Sequence, residues 1–163
     1  AGGFTVAQEK IEDFKAFLYE HIAKQTQSAE ANIQTPVDGL LTVRGATVNL
    51  VRMLQEQIGP FGQEHPEPMF LFQNVRIHTA DVVGEAHIRC MISDWEGGAR
   101  MKAMAFRAVG TPLGDALLKQ GKAPFDLLGI LKIDTWGGNE KVEMHIRDAK
   151  LVSEELAQTA AIG

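Results

Sequence analysis

The chain has 163 residues, 45% of them hydrophobic, with a net charge of −5. That length suits one globular domain or two small ones, and no run approaches the about eighteen consecutive apolar residues of a membrane span. Its single cysteine, Cys90, excludes an internal disulfide and suits a reducing cytoplasm. Within a β-patterned run, Cys90 reads as a small core residue rather than a nucleophile. The chain opens on Ala1 and shows no signal-peptide pattern, as an excised fragment would.

In chain order, Thr5 followed by Gln8 reads as a capping box opening a helix to about Gln25. Ile11, Phe14, Leu18 and Ile22 form its apolar stripe. A polar connector, Thr26 to Thr35, leads through Pro36 to a short strand, Val37–Val43. Gly45 precedes a second helix over 46–57, with Val48, Val51, Leu54 and Ile58 as its stripe. About sixty residues make a marginal core alone, so this part reads as the closing piece of a larger α/β domain. Three prolines and two glycines within 59–68 then stop any helix and hold the backbone extended as a stiff hinge.

After the hinge the period becomes two. Candidate strands are Met69–His78, Glu85–Ser93, Arg100–Val109, Phe125–Trp136 and Lys141–Lys150. Between the third and fourth, Thr111 to Lys119 reads as a short helix with Thr111 at the N-cap and Pro112 at N1. Three strands, a helix and two strands is the order of the oligonucleotide-binding (OB) fold, a five-stranded Greek-key barrel. The fold class is therefore α+β, a small helical α/β remnant followed by this barrel. Residues 1–62 form the first part, 63–150 the barrel and 151–163 a tail.

Alternation sorts the strands into two faces. Leu71, Val75 and Ile77 share one face of the first strand, against Phe72, Asn74, Arg76 and His78. In the second, Ile88, Cys90 and Ile92 oppose His87, Arg89 and Met91. In the third, Met101, Ala103 and Ala105 oppose Arg100, Lys102, Met104 and Phe106. The non-core side thus interleaves cations with aromatic and soft side chains, the combination that single-stranded nucleic acid needs for phosphates and bases. The same residues also suit a merely solvated sheet. Trp95 and Trp136, in glycine-rich turns, are further candidate stacking platforms, or else close the barrel's ends. The candidate nucleic-acid-binding set is Phe72, Asn74, Arg76, His87, Arg89, Trp95, Arg100, Lys102 and Trp136. Charge supports the barrel locally: residues 85–122 carry six Lys/Arg against four Asp/Glu, whereas 1–64 carry five against eight. Binding a polyanion depends on the local patch rather than the total.

The hinge, Gly59-Pro60-Phe61-Gly62-Gln63-Glu64-His65-Pro66-Glu67-Pro68-Met69-Phe70, resembles the Pro-Phe-Gly-x-Gly-Asn-Pro-x-Pro-x-Phe signature of RecJ-type single-stranded-DNA exonucleases. Ala1-Gly2-Gly3-Phe4-Thr5 resembles the end of that family's Gly-Gly-His-x-x-Ala-(Ala/Gly)-Gly-Phe-Thr segment. Val37-Asp38-Gly39-Leu40-Leu41, Ala103-Met104-Ala105-Phe106 and Trp136-Gly137-Gly138 through Ile146-Arg147-Asp148 extend the likeness to about Lys150. Glu64-His65 departs from the family's Gly-Asn. The resemblance implies a C-terminal fragment: the end of a DHH-associated domain, then an OB fold. It implies a bacterial, cytoplasmic parent that degrades single-stranded DNA from 5′ to 3′ in repair and recombination, using Mn²⁺ or Mg²⁺ held by an upstream DHH domain. Single-stranded DNA is the implied partner; single-strand-binding protein is the partner that a docking module would take.

A metal-dependent phosphodiesterase needs clustered Asp and His ligands. His21, His65, His78, His87 and His145 are scattered singly, with no paired carboxylate at ligand spacing, Walker motif or nucleophile elbow. No cofactor is expected in this chain, and it should cut nothing alone. A protein-interaction module docking a repair partner, or a noncatalytic nucleic-acid-binding protein, remains an alternative.

Overall fold

A computed structural model describes residues 10–17, 35–62, 66–119 and 123–152. The expected capping box at Thr5 and Gln8, His21, most of the polar connector, Glu64-His65 and the tail beyond Val152 lie outside the described residues. The chain divides into two compact units, 1–36 and 37–163. In the first, residues 11–17 are helical (α1). The boundary lies upstream of the expected 62/63 division, because Val43 and Val51 join the same buried cluster as the barrel strands. Among the described residues no helix is long and apolar enough to cross a membrane.

Within 37–163, the expected strand 37–43 is reduced to β1, Gly39–Leu40, paired in parallel with the next strand through Gly39↔Phe70 and Leu40↔Leu71. Helix α2, Val48–Gln57, starts where the Thr47 hydroxyl accepts the Leu50 N–H at 3.2 Å. Such a cap satisfies one of the helix's orphan donors. Val51 is buried, whereas Ile58, expected on the apolar stripe, is 57% exposed as the C-cap residue.

Five longer strands follow: β2 Phe70–Val83, β3 His87–Asp94, β4 Arg100–Ala105, β5 Phe125–Asp134 and β6 Lys141–Leu151. Their order is β2-β3-β4-β6-β5, and a β2–β5 pairing closes the barrel. The β4–β6 pairing is parallel, as the OB order requires, and the other barrel pairings are antiparallel. The expected helix is α3, Pro112–Leu118, capped by Thr111 and buried through Leu117. At Gly129 an added Cβ would stand 2.4 Å from the His145 carbonyl oxygen and 2.8 Å from the Met144 side chain. β5 and β6 meet here across a bulge, and only glycine fits.

One strand breaks the expected alternation. Phe70, Phe72, Val75 and Ile77 are all buried, so the inward phase slips by one between Phe72 and Val75. The slip is a bulge in which Asn74 has φ +51° and its N–H donates to Asp126 Oδ1 at 3.0 Å. The placement of Phe72 on the binding face is therefore corrected: it is 0% exposed and belongs to the core. Parity in β3 and β4 is as expected, with Ile88, Cys90, Ile92, Met101, Ala103 and Ala105 inside. Burial, with Asp81 adding, pushes the Cys90 thiol up to about 12, which suits an inert core residue.

Asparagine tolerates the left-handed region and a β-branched residue does not. Asn74→Gly should leave the urea midpoint within experimental error, whereas Asn74→Val should lose about 1–2 kcal/mol. Equal midpoints for the two variants would show that the bulge is not conformationally demanding.

Candidate nucleic-acid interface

The outer face of β3, β4 and β6 is built in rows. Arg89 pairs with Met104, and Met91 with Lys102, across β3 and β4. The parallel register then sets Lys102 beside Glu143 and Met104 beside His145. Over one end of these rows stands the 43–48 segment. Asp94, closing β3, holds it there: its carboxylate accepts the Val43 N–H at 2.7 Å and the Arg44 N–H at 3.1 Å. Between this segment, β4 and the β5–β6 turn lies an open groove of about 650 Å³. Arg44, Arg100, Lys102 and Lys141 line it, with Asp134 the acid among its lining residues. Trp136 stands at its edge, 90% exposed. Its backbone N–H donates to Asp134 Oδ1 at 3.0 Å, which anchors the turn while the indole stays in solvent.

The groove brings together Arg100, Lys102 and Trp136 of the expected set. Lys102 is not a free cation. Its ammonium donates to Asp134 Oδ2 and is paired with Glu143 Oε2, both at 2.5 Å. The Asp134 bond, then that to Glu143, raise the Lys102 pKa; reciprocally, the Lys102 bond and the Trp136 N–H hold the Asp134 carboxyl below its ordinary value. Glu143 is 9% exposed and also accepts from His145 Nε2 at 2.9 Å. A buried carboxylate needs such partners, since leaving it unpaired is strongly destabilising. Lys102 therefore first neutralises acids of its own chain.

Arg76 and Trp95 form a second group. The guanidinium lies 4.5 Å from the indole centroid, within cation–π range. Trp95 is half-buried rather than fully displayed, and part of its face is taken by Arg76. Burial first, then the charges of Arg100 and Arg76, lower the pKa of His78. Its Nε2–H donates to Ser93 Oγ at 2.9 Å, because the serine hydroxyl is committed to the Asp94 carbonyl at 2.8 Å. Arg44, Arg76 and Arg100 make no ion pair among the described residues. Arg89 lies near an exposed Asp81 at 3.8 Å, an arrangement of small energetic weight. His87, at the start of β3, accepts the Arg107 N–H on Nδ1 at 2.9 Å. Asn74 sits in the bulge on β2, away from the rows.

Sequence reasoning missed Arg44 and Lys141. Arg44 reaches the groove through the contact of Asp94 with a segment fifty residues earlier, which no local pattern signals. Lys141 was legible in principle, as the first residue of β6 after the Trp136 turn.

The clamp has a pH signature. Asp134 is depressed, so its contribution is present above the ordinary value of 3.8 and is lost as pH falls through the lower folded value. Lys102 is raised, so its contribution is lost only as pH rises through its folded value above 10.5. The urea-midpoint difference between the native chain and Asp134→Asn should be open at neutral pH and close as pH falls below 3.8. A difference independent of pH would mean the clamp does not couple to folding.

Residues 37–148 match the family described as the RecJ OB domain. The single-stranded-DNA-specific exonuclease RecJ of Salmonella typhimurium is 26% identical over 148 residues, covering 91% of this chain and 25% of the relative. The Escherichia coli enzyme of the same name is 26% identical over 146 residues, covering 90% and 24%. The chain thus spans about a quarter of the length of these curated relatives. RecJ of Thermus thermophilus, solved in complex with Mg²⁺, shares the fold with a TM-score of 0.57 at 19% identity, over 93% of this chain and 22% of that one. With the closed barrel, the α3 insertion and a family match over most of its length, the chain belongs to the RecJ OB domain family.

Proposed function

We propose that this chain is the single-stranded-DNA-binding portion of a RecJ-like exonuclease, holding the incoming strand against its barrel. The observation that carries the reading is the groove. Three cations without ion pairs among the described residues, Arg44, Arg100 and Lys141, surround it, and a tryptophan 90% exposed stands at its edge. A polyanion with unstacked bases satisfies both features: phosphates meet the cations, and a base covers the indole. A duplex offers phosphates but no free base faces, so the tryptophan favours single strands. The total charge of −5 keeps the affinity of the isolated chain weak.

In this reading the parent cleaves single-stranded DNA from the 5′ end during repair and recombination in the bacterial cytoplasm. Its metal ions, Mn²⁺ or Mg²⁺, belong to an upstream DHH domain. Among the described residues here, no group of three or more His, Cys, Asp or Glu could hold a metal, so no catalytic step is assigned to this chain. Single-strand-binding protein is a further proposed partner.

A salt series with a labelled oligonucleotide tests the reading by fluorescence anisotropy. Arg44→Gln or Arg100→Gln should each flatten the salt dependence by roughly 0.7 log units per log salt for each phosphate that is no longer neutralised. Lys102→Gln should leave that slope unchanged, since its ammonium already serves Asp134 and Glu143. Trp136→Ala should cost about 1–3 kcal/mol with no change of slope. If neither Arg variant moves the slope, the groove is a solvated surface and a protein-docking role gains.

A further inference from the structure

The geometry points to a second base platform, Phe106, at the far end of the outer face from the Trp136 groove; this rests on the single-strand reading above. Small barrels place large aromatics inside, and Phe70, Phe72 and Phe125 are buried here. Phe106 is 49% exposed, just past the end of β4. A ring that merely closed the barrel end would be covered.

The ring is also held in place. His87 packs against it in a T-shaped contact, with centroids 5.3 Å apart and an interplanar angle of 69°. His145 makes a second such contact at 4.8 Å and 71°. Both histidines are themselves fixed. His87 Nδ1 accepts the N–H of Arg107, a non-glycine residue at φ +53°, a conformation that persists only where its surroundings impose it. His145 donates from Nε2 to the buried Glu143, which Lys102 ties to the groove. An exposed aromatic immobilised in this way loses little conformational entropy when a ligand covers it, which is what a preorganised platform requires.

The position continues the rows. Lys102 and Phe106 are four residues apart, about 13 Å at about 3.3 Å per residue, with Met104 between them on the same outward parity. Exposed Arg89 pairs with Met104, and exposed Arg107 follows Phe106. A strand leaving the Trp136 groove thus crosses methionines, meets cations at its phosphates and ends with a base on Phe106. The ligand is an unpaired nucleobase, taken for its π-face rather than its hydrogen-bonding edge.

Anisotropy of the full chain with oligothymidylates of roughly 4 and 16 nucleotides, the limits for single OB folds, tests this. Phe106→Leu keeps an apolar side chain without the π-face. It should weaken the longer oligonucleotide about 5- to 150-fold, affect the shorter one much less, and leave the salt slope unchanged. Phe106→Tyr should bind as the native chain does, which guards against misfolding as the cause. Trp136→Ala should weaken both lengths. If Phe106→Leu binds the longer strand as tightly as the native chain, or Phe106→Tyr is as weak as Phe106→Leu, the platform is wrong. Weakened binding in Trp136→Ala with native binding in Phe106→Leu removes the platform alone. Native protein that binds neither length removes the single-strand reading and the platform together.

Discussion

The barrel closes because β2 changes partners partway along its length. Its first residues pair with β5 and its later ones with β3, and Val75 pairs with both. A flat strand cannot do this; the bulge at Asn74 bends it and shifts its phase. The shift has two consequences for the surface. It turns Phe72 inward, filling the core beneath the β5 pairing, and it turns Arg76 outward to meet Trp95 at the β3 end. One residue in a left-handed conformation thus decides which aromatic is core and which cation reaches the surface. The Asp126 carboxylate that accepts the Asn74 N–H lies on β5 itself. Closure and bulge therefore support each other.

Electrostatics on the outer face follow from the other unusual pairing, the parallel β4–β6 ladder. It sets Lys102 beside Glu143, while Asp134 comes from the end of β5. One ammonium shared by two carboxylates leaves a local excess of negative charge at the centre. The cations without ion pairs among the described residues stand at the margin, at Arg44, Arg100 and Lys141, the last opposite Asp134 across β5 and β6. On the proposed reading, the phosphates of a bound strand follow the rim cations and avoid the clamp. Charge patterning of this kind sets the path of a polyanion more than its affinity.

The order of strands and α3 was legible in the sequence because each rests on local chemistry: two-residue alternation, the Thr111-Pro112 start and the glycine-rich turns. The inward residues of β3 and β4 were legible for the same reason. Phe72 was not, because a bulge leaves residue types unchanged while inverting parity. Lys102 looked like a phosphate ligand because its acids lie far along the chain: the parallel register brings Glu143 beside it, and the end of β5 brings Asp134. The extent of the barrel unit was hidden too. Prolines in the hinge suggested a break near residue 62, yet Val43 and Val51 pack into the cluster that begins after it. Stiff punctuation marks a change of direction, not necessarily a change of core.

That packing makes the 37–62 segment part of the site rather than a spacer. Both Asp94 oxygens are used on consecutive amides, Val43 and Arg44, so the arginine's backbone is set by the end of β3. Asp38 repeats the device at β1, accepting the Met69 N–H at 2.7 Å while its own N–H donates to the Met69 carbonyl at 2.8 Å. Each carboxylate satisfies backbone donors at a place where the ladder itself supplies none, which is how an irregular segment can be seated on a barrel. Since the groove's wall carries Arg44 and its far margin carries Trp136 and Lys141, the groove exists only when segment and barrel fold as one unit. A barrel trimmed to 66–151 would keep the residues of its five strands and lose that wall.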